Sequence, residues 1–346
     1  MLVGLVWASG CAKHLPLAEP AAPLTPPSRL CAAGEAPPAC RRAVEVEALL
    51  SEHTELVGIA DTPSGMQGAK ILTLRAQRGG STVVFRAKWR PQSSAGLVNE
   101  PRKELAAYAV QKLFLEDGEL VAPPTVAHCF PLAEYRLFVP KEPASFEKID
   151  CVLGFASYWL EGVQSVGSAR EDGVLGDGEG IWDAKLFKRD AMYRGSVSKA
   201  NLLTYVIHHG DAHDEQFLLE TTPRGLRTYV VDSSIAFRSI KNPMLLIRAD
   251  WSQLQVPTLP KAAVERLRAL KAEDYQRLKT IAVLERREGQ LVDVTAASPP
   301  IDSDGKEMSW SGEHLRIGLT EGEIELVAER VAALLARPDL AKITER

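Results

Sequence analysis

Three short β-rich runs follow one another with almost nothing between them, and this succession constrains the fold more than any other feature of the chain. LVGIA (56–60), AKILTLRA (69–76) and STVVFRAKW (81–89) are separated only by DTPSGMQG and QRGG, both rich in turn-forming residues. Connections this short cannot carry a crossover, so the runs pair as an antiparallel meander. The next segment, NEPRKELAAYAVQKLFLEDG (99–118), places Leu105, Ala106, Ala109, Val110 and Leu113 at helical spacing and closes on Asp117 and Gly118. A meander needs an apolar cover on one face, and this helix is the nearest one in the chain.

Further along, APPTVAHCFPL and DCVLGFASYWLEGV (150–163) read as additional strands, followed by VGSAREDGVLGDGEG, whose glycines and charges suggest a mobile surface loop. SVSKANLLTYVIHHGD (196–211) starts with a serine cap and runs apolar. FLLE (217–220) and RTYVVDSS (227–234) then form a hairpin across TTPRG. PKAAVERLRALKAEDYQRLKTIAVLERR and EGEIELVAERVAALLA both repeat near 3.6 residues. The expectation is an α+β, two-lobed fold: a small antiparallel β-rich lobe with one helix over 41–165, and a larger, mainly helical lobe over 166–346 that carries the hairpin.

The first residues, MLVGLVWASGCAKH, run apolar and then small up to Cys11. This pattern resembles a bacterial lipoprotein signal peptide over 1–11, in which the cysteine takes the lipid. Residues 12–40 are dominated by Pro and Ala and read as an extended tether. The expected location is therefore an exported, periplasmic or outer-membrane-associated one, with the membrane engaged only through an N-terminal lipid. Apart from Cys11 there are four cysteines, which allow three pairings; 31 with 40 and 129 with 151 are the most local. A formal net charge of -4 provides no broad basic field, which argues against nucleic acid as a partner.

Four places carry residues suited to chemistry. Lys88 on the third run and Glu104 on the helix could form the ion pair that positions a nucleotide phosphate, although such charges are more often solvated. Strand alternation puts Arg86 on the same face as Lys88. Ser64 and Gly65 lie in the DTPSGMQG turn, where backbone N–H groups could approach phosphate oxygens. HHGDAHDEQFLL (208–219) offers either a zinc site built from His208, His209 and His213, or a loop built around Asp211 and Gln216. Gly210 interrupts the helix that zinc-binding histidines would need, which favours the second reading. Asp232 ends the strand TYVVD, across the hairpin from Asp211; it could hold a metal or simply cap the turn with Ser233 and Ser234.

In this order, HGDAHDEQFLL followed by YVVDSSIAF resembles the atypical kinases: the secretory-pathway (Golgi casein) kinase family, the HipA-type kinases and the type II phosphatidylinositol 4-kinases. RKELAAYAVQKL with the downstream VAPPTV is similar to their helix and following stretch, and FASYWLEGV to their hinge strand. The resemblance implies a protein-kinase-like fold that uses ATP with Mg²⁺ or Mn²⁺ and transfers the γ-phosphoryl group to a hydroxyl on a protein or small molecule. It further implies that Lys88 binds the phosphates, Glu104 pairs with it, Asp211 is the catalytic base, and Gln216 and Asp232 hold the metal. Phe155 to Trp159, Tyr158 included, would line the adenine pocket. Three departures stand out: Gln216 replaces an Asn or Glu, Asp-Ser-Ser lacks the usual glycine, and F-R-A-K leaves Arg86 and Lys88 both open as the phosphate cation. A nucleotide-binding pseudokinase or scaffold lipoprotein is the alternative that these departures imply.

Overall fold

The computed structural model of the chain describes residues 19–52, 54–63, 68–96, 99–176, 180–237, 250–295 and 306–344. The signal-like segment with Cys11, and the turn residues Ser64 and Gly65, lie outside them.

Helix α1 (Ala43–Ser51) precedes strands β1 (Glu55–Asp61), β2 (Lys70–Arg78) and β3 (Ser81–Pro91), which form the expected antiparallel meander. Helix α2 (Arg102–Gln111) follows, then β4 (Thr125–Pro131), the short α3 (Leu132–Tyr135) and β5 (Cys151–Tyr158). The five strands make one sheet in the order β1-β2-β3-β5-β4, so β3 is central and pairs with β2 and β5. Alternation along β3 sorts its residues. Phe85, Ala87 and Trp89 enter a core with Leu72, Leu74, Val126 and Phe130, whereas Arg86, Lys88 and Arg90 face the other way. Disulfide Cys129–Cys151 ties β4 to β5.

Gly154 of β5 lies against β3 so closely that a Cβ there would sit 2.5 Å from the Trp89 ring and 2.6 Å from the Arg90 carbonyl oxygen. Backbone cannot yield as a flexible side chain does. Gly154→Ala is therefore expected to cost about 1–3 kcal/mol of stability in urea unfolding, and an unchanged midpoint would show that the two strands can part.

The Pro/Ala-rich stretch corrects the sequence expectation. Within residues 19–40, Leu30, Cys31, Ala32 and Cys40 are buried, and Cys31 is bonded to Cys40. Thr25 exchanges hydrogen bonds with Val84 of β3, through its backbone N–H at 2.8 Å and its hydroxyl at 2.9 Å. The segment is a packed strap over these residues, because a local disulfide and an apolar Leu30 give it something to bury.

The second lobe contains β6 (Val163–Ser165), α4 (Val166–Glu171), α5 (Ala184–Arg189), α6 (Ala191–Val206), the hairpin β7 (Phe217–Thr222) and β8 (Gly225–Val230), α7 (Lys261–Ala269) and α8 (Ala272–Gln276). β6 joins the hairpin as a three-stranded sheet. The expected mobile loop is instead helical over α4: the Ser165 hydroxyl accepts the Ser168 N–H at 3.2 Å, and Val166 and Ala169 are buried one turn apart. Residues 177–179 of that stretch lie outside the described ones.

The periodic reading fails again at TIAVLERR. Ala282–Arg287 is strand β9, joined by β10 (Gln290–Asp293), β11 (Met308–Ser311) and β12 (His314–Ile317) in the order β10-β9-β12-β11. Ala282, Leu284, Leu291, Leu315 and Ile317 share a buried cluster with Leu105, Cys129, Leu153 and Phe155. This second sheet, placed in the helical lobe from sequence, thus packs on the first lobe. Alternating apolar residues that meet an existing apolar face outweigh weak helical spacing. The chain ends with α9 (Glu321–Leu335) and α10 (Leu340–Ile343).

Candidate active site

The cation-bearing face of β3 meets α2 from one side and the end of the hairpin from the other. Lys88 Nζ lies 2.9 Å from Glu104 Oε1 and 3.3 Å from Asp232 Oδ1. Arg90, two residues on, makes the same pair of contacts: its Nε is 3.1 Å from Glu104 Oε1 and its Nη2 is 2.9 Å from Asp232 Oδ1. Its Nη1 donates to Asn99 Oδ1 at 2.6 Å and to Ser234 Oγ at 3.3 Å. Arg86 is engaged elsewhere, in a two-point pair with Glu161 at 2.7 and 2.6 Å. Of the two cations left open by the sequence, Lys88 is therefore the one that meets Glu104.

Glu104 is held from a third direction by the Ser157 hydroxyl at 3.3 Å, which is itself 2.8 Å from the Thr125 hydroxyl. The chain leading into α2 is anchored as well: two residues before the helix, the Glu100 N–H donates to the Ser234 carbonyl at 2.9 Å. One short segment thus registers the helix against the loop after Asp232.

Asp232 adopts a left-handed backbone, φ 61°, which is uncommon for a residue other than glycine. Burial opposes its ionisation, but Lys88 and Arg90 outweigh that cost and hold its carboxyl well below the usual range. The strained turn and the two cations fix the direction of one carboxylate at the end of β8.

Asp211 sits in the loop between α6 and the hairpin, and its N–H donates to His209 Nδ1 at 3.3 Å. Gln216 Nε2 donates to Asp211 Oδ2 at 3.2 Å, and His213 Nε2 is 3.4 Å from Oδ1. Burial pushes the Asp211 carboxyl up; the neighbouring Asp232 charge adds to this, while His213 and the Gln216 hydrogen bond oppose it. The two acids are thus driven in opposite directions, the pattern of a site in which one group handles protons and the other stays ionised.

The histidines do not form a metal site. His209 is fully buried with its pKa lowered to about 4 by desolvation, His208 is lowered for the same reason, and His213 turns to Asp211. Among the described residues, no three His, Cys, Asp or Glu side chains gather around a point.

Lys88, Glu104, Asp211, Gln216 and Asp232 all line a single cleft of about 590 Å³, together with Arg90. Thr62, Pro63 and Ala69 close it from the β1–β2 turn whose centre holds Ser64 and Gly65. Tyr158 and Trp159 line it from the end of β5. Phe155 does not: it is buried among Leu105, Leu153 and Leu284, because α2 and the second sheet cover that part of the strand. Arg90 is the residue that sequence reasoning missed. Alternation already placed Arg86 and Lys88 on one face, and continuing it two positions would have reached it.

No family model and no curated protein matches the chain. Among solved structures, it is similar to that of hydra Fam20 with sugar, at 13% identity and a TM-score of 0.48, covering 87% of this chain and 88% of that one. It is also similar to the Golgi casein kinase, at 11% identity and a TM-score of 0.45, covering 85% and 76%. A five-stranded antiparallel sheet with α2 against it stands over a helical lobe, and the cleft between them receives residues from β3, α2, the Asp211 loop and the end of β8.

The donor set of this cleft fits a nucleotide with a divalent cation. Mg²⁺ typically takes one or two protein oxygens and completes its shell with phosphates and water. Asp232 and the carboxamide oxygen of Gln216 are of the right type, and Lys88 offers a point charge to a phosphate.

Proposed function

We propose that the chain is an ATP-dependent phosphotransferase that moves the γ-phosphoryl group to a hydroxyl, on a protein first and on a small molecule second. The observation that carries this reading is the meeting of Lys88, Glu104, Asp211 and Asp232 in one cleft. In the step proposed, Asp211 accepts the acceptor's hydroxyl proton, the acceptor oxygen bonds to the γ-phosphorus, and the bond from that phosphorus to the bridging oxygen breaks to release ADP. Lys88 orients the phosphates, and Glu104 keeps Lys88 in place. Asp232 and Gln216 would hold Mg²⁺ or Mn²⁺, which supplies charge neutralisation on the phosphates. Export with an N-terminal lipid on Cys11 is part of the proposal; the two disulfides support export alone, since such bonds persist in oxidising compartments.

Incubation with labelled ATP and either metal, comparing wild type with Asp232→Ala, tests the reading. Label transferred by the wild type and lost in the variant is expected; equal labelling of both would sink it. One observation favours a second reading, nucleotide binding without transfer: Gln216 turns its nitrogen to Asp211, and Lys88 and Arg90 already occupy Asp232. A rise in thermal midpoint with ATP and metal, but no labelled product, would select that reading.

The raised Asp211 carboxyl fixes a sign for pH. A base works only when deprotonated, so the acid limb of kcat/KM should lie above the ordinary aspartate value of about 3.9. The Gln216 hydrogen bond lowers that carboxyl. Gln216→Ala is therefore expected to move the limb to still higher pH, and a move to lower pH would contradict the assignment of Asp211.

A further inference from the structure

We infer that Arg90 stands in for a second metal ion, so that this cleft takes a single divalent cation with its nucleotide. The inference rests on the phosphotransferase reading and deepens it. Two features of the chain's own residues carry it.

The first is the position of the guanidinium. Arg90 is almost fully buried, with a side chain 5% exposed, and it spans the two carboxylates of the cleft floor, Glu104 at 3.1 Å and Asp232 at 2.9 Å. Asn99 and Ser234 hold its remaining edge. Both of its Nη atoms donate hydrogen bonds, while its Nε makes none and stays within ion-pair reach of Glu104. It is a fixed positive charge beside the carboxylate that would hold a metal, and such a charge needs no reorganisation when phosphate arrives. A cation already bonded to Asp232 Oδ1 also competes with any ion that would use the same oxygen.

The second is the poverty of the remaining donors. A divalent ion such as Mg²⁺ is typically held by one or two carboxylates together with substrate phosphates. Position 216 supplies a neutral carboxamide, and its nitrogen, not its oxygen, faces Asp211. Asp211 in turn is occupied by Gln216 and His213. Lys88 and Arg90 balance Glu104 and Asp232 charge for charge. What is left can support one ion shared with phosphate oxygens, while the rest of the phosphate charge meets Lys88 and the field of Arg90. Arg90 is thus a positioning and charge-supplying residue.

Counting bound Mn²⁺ by electron paramagnetic resonance, on the full chain saturated with a non-hydrolysable ATP analogue, tests this without relying on activity. The wild type is expected to bind one Mn²⁺ per bound nucleotide. Arg90→Met is expected to weaken nucleotide binding about tenfold or more and to admit a second ion, while Arg90→Lys keeps the count at one. Two ions per nucleotide on the wild type would overturn the inference and leave the phosphotransferase reading standing. A count of one in a folded Arg90→Met variant would also overturn it. Should Arg90→Met fail to fold, by circular dichroism, the wild-type count alone decides. Failure of the wild type to bind the analogue at millimolar concentration with either metal would remove both readings together.

Discussion

Asp211→Asn is expected to lower phosphoryl transfer by about 10²- to 10⁴-fold while leaving the thermal midpoint unchanged or higher. The two halves of this result have one cause. The fold raises the Asp211 carboxyl mainly by burial, so at neutral pH the ionised side chain is less comfortable in the native state than in the unfolded chain. The sign follows: the destabilisation is fully present above the raised folded pKa and vanishes below the unfolded value. Asparagine keeps the shape and offers Gln216 and His213 an uncharged partner, so the cost disappears along with the base. Differential scanning fluorimetry at pH 7 with a parallel labelled-ATP assay checks both halves. A variant that loses stability and activity together would make Asp211 an ordinary structural acid.

Glu104→Ala is the substitution expected to do most harm to the fold. Glu104 is 7% exposed, and it neutralises Lys88 and Arg90 from the α2 side. Its removal leaves two cations, one of them almost entirely out of water, to share Asp232. Removing one partner from a buried ionic cluster costs about 3–5 kcal/mol, and Asp232, being part-exposed, recovers little of it. Urea unfolding measures the loss. Glu104→Gln, which keeps a hydrogen-bond acceptor for the Ser157 hydroxyl, is expected to fall between wild type and alanine. A loss below about 1 kcal/mol for alanine would place the pair with exposed salt bridges, which contribute no more than that.

Much of this molecule is legible from local signals. The meander, α2 and the β7–β8 hairpin each announce themselves through period and turn residues, and Asp211 and Asp232 follow from the hairpin that joins their loops. What sequence reasoning misplaced depends on contacts made across the fold. TIAVLERR carries both periods, and only the apolar face of β4 and β5 makes it a strand. Phe155 looks like a cleft residue until α2 and the second sheet cover it. Arg90 is invisible as long as Lys88 alone satisfies the expected motif, because its role lies in reaching Glu104 and Asp232 together. Residues 19–40 read as tether because composition cannot show that Leu30 has a socket.

That strap has a mechanical consequence. At one end Thr25 is stitched to β3 of the first lobe; further on, the Leu30 and Ala33 carbonyls accept Arg227 and Arg224 of the β7–β8 hairpin at 3.0 and 2.7 Å. The bond between Cys31 and Cys40 closes a loop that holds Ala33 but neither Thr25 nor Leu30. One short piece of chain, from Thr25 to Ala33, therefore grips both lobes, and the hairpin it grips carries Gln216 at one end and Asp232 at the other. Any relative movement of the two lobes must work against this brace, and reduction of the Cys31–Cys40 bond would loosen only its Ala33 end.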